Sequence, residues 1–505
     1  MGPVAAVNDD MTRTVRTYGN WRVPASAGLM GLGTLGTVFL LGSLVLIVFV
    51  VMIAGLLRGA IAGAVLSVVL LTVLTKDKHG KSTMSKMGVR MLWWKARSLG
   101  AHLYRSGPLG RVPWGRYQLP GLAAPLRLSE QQDSYGRPFA LLHLPANGNH
   151  FSVVVATEPD GAALVDIEQV DSWVAEWGHW LANLGDEPDL VAASVTVETS
   201  PDTGTRLRRE VVGQIDEQSP EFARQVLLET VDAYPHGSSL VRAFVALTFS
   251  PGRDKKITPE EMGRDLAARL PGLTQGLSST GAGAARPLPA HELCEVIRVA
   301  YDPAAAVLID EAHAAGEVPE IEWTDVGPTA HQAGWDKIRH DSALSVSWTM
   351  TAAPRGNVQS SILTRLLAPH PDIARKRVTL LYRPLDPARA AGVVEADLRA
   401  AEFRATSSAK PTARDMLATR SARATAAEEA AGAGLVNFGM IVTATVEDLD
   451  KESDARAAVA NLSAASRLRL RPAYGAQDST FAAGLPLGIV LPMHLRIPVE
   501  IREQM

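Results

Sequence analysis

A stretch of 48 residues, Gly28 to Thr75, contains a single charged side chain, Arg58. A membrane-spanning helix needs about 20 apolar residues, so the stretch has room for two helices and a short turn. Because glycine bends the chain readily, the turn is predicted near Gly55, Arg58 and Gly59. The sequence therefore predicts a transmembrane hairpin over residues 28–75. The stretch is too long for the apolar region of a cleaved signal peptide.

Basic residues flank this stretch on both sides. Arg13, Arg16 and Arg22 precede it, and ten Lys and Arg residues with one acid follow it between 76 and 116. Because basic residues beside membrane spans mark the cytoplasmic side, we expect a multi-pass cell-membrane protein with both termini and most of the chain in the cytoplasm. Membrane lipid is a predicted partner. The residues expected to anchor the chain at the lipid boundary are Trp21, Arg58, Lys76, Lys78, Lys81, Trp93, Trp94 and Arg97.

The basic segment also invites comparison with a nucleic-acid surface, since Lys, Arg and aromatic residues suit phosphates and bases. The remainder of the chain, Tyr117 to Met505, holds 36 Lys and Arg against 50 Asp and Glu. A net acidic body is poorly suited to nucleic acid, so no direct nucleic-acid partner is expected. The single Cys294 excludes an intrachain disulfide and fits a reducing compartment.

From Tyr117 onward, short β-branched segments alternate with amphipathic ones, which is typical of α/β or α+β proteins. This alternation predicts ferredoxin-like β-α-β units with helices on one face. The predicted strands are 138–144, 150–156, 191–199, 241–249, 344–351, 378–384 and 436–446. The predicted helices are 167–184, 221–234, 259–268, 291–301, 303–315, 388–402 and 413–431.

Gly, Pro and Asp cluster between Gly316 and Gly334, where the periodicity lapses, and this places a domain boundary there. The predicted fold class is α+β, with an amino-terminal two-helix transmembrane hairpin followed by a cytoplasmic body of β-α-β units. The predicted domains are a cytoplasmic tail (1–27), the hairpin (28–75), a basic juxtamembrane segment (76–116) and two α/β subdomains (117–320 and 321–505).

Two short motifs imitate those of nucleotide-binding enzymes. Gly80-Lys81-Ser82-Thr83 ends like a phosphate-binding loop, but Thr75 stands where the loop needs its first glycine. The run from Val307 to His313 spells an acidic ATPase box, yet Pro303 and Gly316 are typical of the start and stop of a helix. In such ATPases the acidic residue must end a buried strand and face Mg²⁺.

These motifs define an alternative function, a nucleic-acid-stimulated ATPase that uses Lys81, Asp310 and Glu311. The helical prediction for Asp310 and Glu311 argues against it. No His pair, serine elbow or reactive cysteine completes a catalytic set, and Cys294 is predicted to be a core residue. The chain is therefore expected not to be an enzyme and to hold neither a cofactor nor a metal.

Three tryptophans, Trp173, Trp177 and Trp180, recur at helical spacing within the predicted helix 167–184. A stripe of this kind packs in a core or against a subunit. Aromatic residues are also favoured anchors of protein interfaces. These three residues are accordingly the predicted partner interface.

The order of these features resembles known secretion components. A short basic amino terminus, an apolar hairpin and a basic exit resemble the small two-span subunits, PrgI-type or VirB-type, of type IV secretion and conjugation systems. The segments 435–446 and 467–471, with Phe481 and the turn Leu485-Pro486-Leu487-Gly488, are similar to the amino-terminal, non-motor region of VirB/TrbE/CagE-type secretion ATPases. Relative to the family's Leu-Pro-Gly turn, this chain has one inserted Leu.

The segments 104–111 and 378–384 resemble a family of uncharacterised actinobacterial membrane proteins associated with conjugation clusters. The two-span plan is also similar to the EccE subunits of type VII secretion. Since the chain ends 17 residues after Gly488, no motor is expected to follow. The resemblance implies a non-catalytic, membrane-anchored scaffold that docks a partner ATPase and polytopic membrane subunits in a hetero-oligomer. An EccE-like component of a type VII complex is the alternative.

Overall fold

The computed structural model describes residues 16–22, 33–75, 77, 83–108, 110, 116–145, 149–161, 165–216, 218–233, 239–252, 257–354, 356–407 and 412–495. The helices are α1 Gly33–Ala54, α2 Leu56–Leu74, α3 Thr83–Ser98, α4 Ile167–Asn183, α5 Thr205–Gln214, α6 Glu221–Ala233, α7 Pro259–Ser278, α8 Ala290–Tyr301, α9 Ala305–Ala315, α10 Thr364–Leu367, α11 Pro387–Thr406, α12 Ala413–Ala430, α13 Glu452–Ala465 and α14 Gln477–Ala483. The strands are β1 Leu103–Arg105, β2 Arg127–Gln132, β3 Pro138–Leu144, β4 His150–Glu158, β5 Leu190–Pro201, β6 Ser239–Phe249, β7 Ala284–Pro287, β8 Ala330–Ala333, β9 Ile338–His340, β10 Ala343–Ala352, β11 Arg375–Pro384, β12 Val436–Val446 and β13 Arg469–Pro472.

The apolar amino-terminal region forms two helices, α1 and α2, separated by Gly55 alone. Gly55 has a φ of 85°, a conformation that glycine adopts without steric cost. Gly59 then lies against Val51, so closely that a Cβ at residue 59 would come within 2.1 Å of the valine side chain. The two helices therefore pack against each other across small residues.

Among the residues that the structure describes, no helix combines the length and the apolar content that crossing a membrane requires. The predicted transmembrane hairpin of residues 28–75 is therefore wrong. The multi-pass cell-membrane localisation was deduced from this hairpin and is therefore wrong as well. The prediction rested on the near absence of charged side chains between residues 28 and 75 and on a length sufficient for two spans.

The strands of the body form one continuous antiparallel sheet of 13 strands. Its order is β1-β8-β9-β10-β12-β11-β5-β6-β4-β3-β2, with β13 pairing with β10 and β7 pairing with β4. The predicted fold class, a membrane hairpin followed by a body of β-α-β units, is corrected to this single large sheet carrying helices. The boundary near residue 320 stays a prediction.

The sheet contains an internal repeat. Strands β7-β4-β6-β5 and β13-β10-β12-β11 have the same order and the same chain connections, the order of a β-α-β-β-α-β unit. A hairpin precedes each set, β2-β3 in the first half and β8-β9 in the second. The halves also match in detail, because Leu288 donates its N–H to the Val154 carbonyl at 2.8 Å and Ala473 donates its N–H to the Ser347 carbonyl at 2.9 Å.

The two halves join where β5 pairs with β11, and this junction is called the seam below. In an isolated unit, β5 or β11 would present an unpaired edge that invites association. In this chain each strand covers the edge of the other over the register from Lys376 opposite Thr199 to Tyr382 opposite Ala193. The duplication therefore removes two exposed edges.

Each face of the sheet is covered by helices. One face holds two apolar clusters, around Leu247 beneath α4 and α7 and around Val442 beneath α13. The other face, called the inner face below, packs under α8 and the carboxy-terminal segment 477–491, with Leu142, Phe244 and Phe481 in one cluster. Strand alternation separates these two sets of side chains.

Helix α7 shows how local sequence sets this packing. The Thr258 hydroxyl accepts the N–H of Glu261 at 3.2 Å, and the Glu261 carboxylate accepts the N–H of Thr258 at 2.9 Å. Pro259 suits the first helical position, and such a cap stabilises a helix by about 1 kcal/mol. Apolar residues at helical spacing then face the sheet, namely Met262, Leu266, Leu270, Leu273 and Leu277.

Candidate functional site

The candidate site lies at the seam, on the inner face of the sheet. Ala192 lies opposite Thr248, the penultimate residue of β6, and Arg375 lies opposite Thr445, the penultimate residue of β12. Ala192 and Arg375 therefore occupy equivalent positions in the repeat. Counting along both strands makes Thr196 and Thr379 equivalent, and these two residues face each other in the register of the seam.

A hydrogen bond marks this centre, because the hydroxyls of Thr196 and Thr379 lie 3.1 Å apart. Thr379 Oγ1 also lies 2.8 Å from the Gly484 carbonyl, which accepts its hydrogen bond. Both threonines are almost fully buried. A local two-fold axis thus passes through the Thr196–Thr379 pair and relates the two halves. Residues on one side of this pair can therefore be compared directly with their counterparts on the other side.

On one side of this centre lies a buried ion cluster, defined as Glu198, Arg375 and Arg377. Glu198 Oε2 accepts a hydrogen bond from Arg377 Nε at 2.6 Å, and Glu198 Oε1 accepts one from Arg375. Exposure is 6% for Glu198, 7% for Arg375 and 2% for Arg377. Burial alone would raise the pKa of Glu198, but the two guanidinium groups outweigh it and hold the pKa at about 2.

Aromatic rings complete the surroundings of the ion cluster. The Arg377 guanidinium lies 5.3 Å from the ring centre of Phe481, which contacts Tyr301 and His340 at 5.1 Å each. His340 is held by the Tyr301 carbonyl at 2.6 Å and the Ser345 hydroxyl at 2.8 Å. Burial lowers the pKa of His340 to about 4, so the ring is neutral at pH 7.

The two terminal nitrogens of Arg377 and the Nε of Arg375 have no hydrogen-bond partner among the described residues. A buried guanidinium normally uses most of its five donors. The cation–π contact with Phe481 offsets part of the loss of hydration around Arg377. The ion cluster therefore keeps two guanidinium groups buried with part of their hydrogen-bonding capacity unused.

The carboxy-terminal segment 477–491 closes the inner face. The Gln477 side chain forms two hydrogen bonds with the Ser347 backbone, accepting its N–H at 2.8 Å and donating to its carbonyl at 3.0 Å. Further on, the Gly488 carbonyl accepts a hydrogen bond from Thr248 Oγ1 at 3.0 Å. Gly488 has a φ of 65°, and a Cβ there would lie 2.2 Å from Ser152 Oγ.

On the other side of the centre, the counterparts of the ion cluster are small or apolar. Ala192 corresponds to Arg375, Ser194 to Arg377 and Leu381 to Glu198. A cavity of about 240 Å³ lies there. Its wall includes those three residues together with Arg383, Gly439 and Ile489.

The predicted anchoring residues lie in several places. Trp21 packs on Phe438 with ring centres 5.4 Å apart, and Trp93 meets Trp335 edge-on at 5.4 Å. Trp94 is exposed. Arg58 on α2 and Arg97 on α3 are exposed, and Arg97 also lies over the Trp93 ring. Lys76, Lys78 and Lys81 lie outside the described residues, as do Gly80 and Ser82 of the loop motif. Their assignment as anchors stays a prediction.

The three tryptophans predicted as an interface lie on α4 but differ in burial. Trp180 is 6% exposed and packs beneath α7, with its indole N–H directed to the Leu273 carbonyl at 3.4 Å. Trp177 stacks on Trp180 at 4.9 Å and meets Tyr382 edge-on. Trp173 is half-buried against Gly281, where a Cβ would lie 2.7 Å from the ring. Their role as a partner interface stays a prediction.

Asp310 and Glu311 lie on α9, so the helical prediction for the acidic ATPase box is confirmed. Asp310 accepts a hydrogen bond from Thr203 at 2.8 Å, and Gly316 ends the helix with a φ of 78°. Cys294 is buried in the core as predicted, and burial raises the pKa of its thiol to about 12. Within the described ranges, no group of three His, Cys, Asp or Glu side chains is placed to hold a metal ion.

The sequence patterns identified neither the ion cluster nor the cavity. Arg375-Lys376-Arg377 is a basic run directly before the predicted strand 378–384, and Glu198 interrupts an otherwise apolar and hydroxyl-bearing strand. These were the available signals, because charged residues are rarely buried unless they are paired. Their partnership depends on the register of two strands 177 residues apart in the chain, which no local pattern reveals.

Comparison with known protein families gives a match to a small part of the chain. Residues 25–85 match the family model described as Domain of unknown function (DUF8461). This region includes α1 and α2 and the first residues of α3. A search of curated proteins gives no match.

Proposed function

We propose that this protein is a non-catalytic scaffold that docks a partner ATPase of a secretion or conjugation apparatus. The observation that carries the proposal is a pair of helical arms in equivalent positions of the two repeats. Arm 1 is α5 with α6, and arm 2 is α11 with α12. Each arm connects the second and third strands of its unit, where a tight hairpin would suffice.

Both arms expose large apolar side chains. Phe222 on arm 1 is 77% exposed, and Phe403 on arm 2 is 73% exposed. Contiguous exposed apolar surface on a protein is a typical mark of an interaction site, and exposed aromatic rings are efficient anchors. The other large exposed apolar residues of the arms are Val212, Val226, Leu227, Leu228, Met416 and Leu417.

The bases of the arms are held firmly. Thr203, two residues before α5, donates a hydrogen bond to Asp310 on α9, and arm 2 contacts Arg22, whose Nε lies 2.6 Å from an Asp397 carboxylate oxygen. The arms leave opposite ends of the seam, because β5 and β11 run antiparallel. Two arms at opposite ends of the seam suit a protein that holds two partners apart.

The resemblance of the carboxy-terminal part to the non-motor region of secretion ATPases supports the choice of partner. The seam is itself an example of two like-folded units that join side by side. A like-folded region of an ATPase would present matching surfaces to the arms. This reasoning favours a mixed assembly of scaffold and ATPase.

The test is a binding measurement with a purified motor ATPase of the host's secretion or conjugation apparatus, identified by its phosphate-binding loop. Paired variants remove the anchors, Phe222→Ser with Leu227→Ser in arm 1 and Phe403→Ser with Leu417→Ser in arm 2. Since each anchor contributes more than 1 kcal/mol at a typical hot spot, each pair should weaken binding by about tenfold or more.

The matched control is Leu449→Ser, which changes an exposed leucine outside both arms and should leave the affinity unchanged. Circular dichroism would verify that all variants keep their secondary structure. If the wild-type chain shows no complex with the ATPase under mild cross-linking, or if both arm variants bind as tightly as wild type, the proposal is wrong.

A further inference from the structure

We infer that the cavity at the seam is a binding site for a small amphipathic carboxylate, with its apolar chain inside and its acid group on Arg383. The inference is independent of the proposed scaffold role. It rests on the origin of the cavity, on the chemistry of its wall and on the position of one arginine.

The cavity arises from side-chain replacement within a repeated backbone. At the equivalent positions across the seam, Arg375, Arg377 and Glu198 fill the space beneath the covering segment. On the cavity side, the small residues Ala192 and Ser194 stand at the positions of the two arginines. Protein interiors are normally filled to crystal-like density, and this side of the seam instead has a partly open pocket of about 240 Å³.

The covering segment does not close the gap. Gly488 is held down by its hydrogen bond with Thr248 and lies in contact with Ser152. The chain then continues over the cavity through Ile489 and Leu491, which form part of the wall. The roof of the cavity is thus fixed at one end by backbone contact, so collapse of the roof onto the sheet is opposed.

The wall is mainly apolar with few polar groups. Leu381 and Ile489 supply apolar surface, while Gly439 leaves the sheet bare beneath them. Small-molecule sites typically combine such a lining with a small number of polar groups that set orientation. A dry cavity of about 150 Å³ holds benzene, so this space suits a chain of roughly eight carbon atoms.

Arg383 provides the polar end. It is half-buried and lines the cavity, and its side chain makes no ion pair or hydrogen bond with the described residues. Asn437, opposite Arg383 on β12, instead accepts a hydrogen bond from Arg22 at 3.2 Å. A guanidinium matches a carboxylate through two parallel hydrogen bonds. The ligand class is therefore an anion with an apolar chain.

The amino-terminal segment lies at the same wall. Trp21 packs on Phe438, and Arg22 contacts Asn437. Both Phe438 and Asn437 belong to the cavity wall.

The experiment uses isothermal titration calorimetry on the purified full chain, with octanoate as the probe and 1-octanol as its uncharged analogue of equal length. Octanoate should bind at least about tenfold more tightly than 1-octanol, because a charge-assisted pair adds roughly one decade or more. Octanoate should also raise the thermal midpoint, since it binds the folded state.

Two variants sharpen the test. Arg383→Gln should remove the preference for octanoate over 1-octanol, while Arg399→Gln, on the exposed surface of α11, should keep it. Ser194→Leu should fill the cavity and weaken both probes. If Ser194→Leu fails to fold, Arg383→Gln still decides the matter, because its side chain is only half-buried.

Two results would overturn the inference. The first is the absence of any octanoate binding to the wild-type chain at millimolar concentration. The second is equal binding of octanoate and 1-octanol that Arg383→Gln leaves unchanged. Preferential binding that survives Arg383→Gln would place the anion elsewhere and count equally against the site.

Discussion

The two sides of the seam share one backbone plan and differ in what fills it. On one side Glu198, Arg375 and Arg377 form a dense buried ion cluster, and on the other their counterparts Leu381, Ala192 and Ser194 leave a cavity. A duplicated fold can therefore assign separate tasks to its copies by changing only a few side chains. The charged side holds the sheet and its cover together, whereas the open side has room for a ligand.

The largest effect is expected from a substitution in the ion cluster. Glu198→Gln leaves two buried guanidinium groups without a counter-charge and should lower the free energy of unfolding by about 3–5 kcal/mol. Denaturant titration of the full chain would measure the change. Glu402→Gln, which breaks the exposed pair with Arg423, should alter stability by less than about 1 kcal/mol. Equal losses in the two variants would show that the ion cluster has no special role.

The same interaction predicts a dependence on pH. The folded-state pKa of Glu198 is about 2, below its ordinary value of 4.5, so the unfolded chain binds this proton more tightly. The contribution of Glu198 is thus complete above pH 4.5 and is lost as the pH falls toward 2. The stability difference between wild type and Glu198→Gln should therefore shrink across this window. A difference that stays constant from pH 6 to pH 2 would contradict the assignment.

The next prediction concerns the segment that covers both sides. Gly488→Ala introduces a Cβ that would lie 2.2 Å from Ser152 Oγ, at a residue with a φ of 65°. Gly136→Ala is the matched control, because Gly136 has a φ of 78° and nothing within 4 Å of the added atom. Both alanines adopt a strained left-handed conformation. The additional loss of unfolding free energy expected at Gly488, about 1–3 kcal/mol, therefore measures the clash with Ser152 alone. Thermal and denaturant unfolding would compare the two, and equal losses would show that the cover can shift freely.

Local periodicity predicted much of the body correctly. Strand β12 has the predicted bounds, 436–446, and β3 has the predicted bounds, 138–144, because alternating apolar residues are a local signal. Periodicity did not predict helix α13 or the short strands β1 and β7. The strands have only three or four residues, and α13 is rich in alanine with little apolar contrast between its faces. Such elements depend on tertiary contacts rather than on their own pattern.

The arrangement of the elements in the whole chain was harder to predict from the sequence. The near absence of charge between residues 28 and 75 predicted a membrane hairpin, which the structure contradicts. The joining of the halves at Thr196 and Thr379 depends on strand registers between residues far apart in the chain. The burial of Trp180 beneath α7 likewise follows from packing, since helical spacing alone is equally consistent with a core stripe and an interface. The candidate site was therefore beyond local sequence patterns.

The smallest expected effect tests the open side directly. Ala192→Val adds two methyl groups next to the cavity, on a strand that favours β-branched residues, and should raise the free energy of unfolding by about 0.5–1 kcal/mol by filling space. Ala246→Val is the control, because Ala246 lies opposite Ser194 on the same face but is 1% exposed within the packed inner cluster. There the added volume meets neighbours on all sides and should destabilise the chain by about 1–3 kcal/mol. Opposite signs for two identical substitutions in neighbouring strands would establish that the space beside Ala192 is unfilled in the folded chain. If Ala192→Val is also destabilising by more than about 1 kcal/mol, the two sides of the seam are equally well packed and the distinction between them fails.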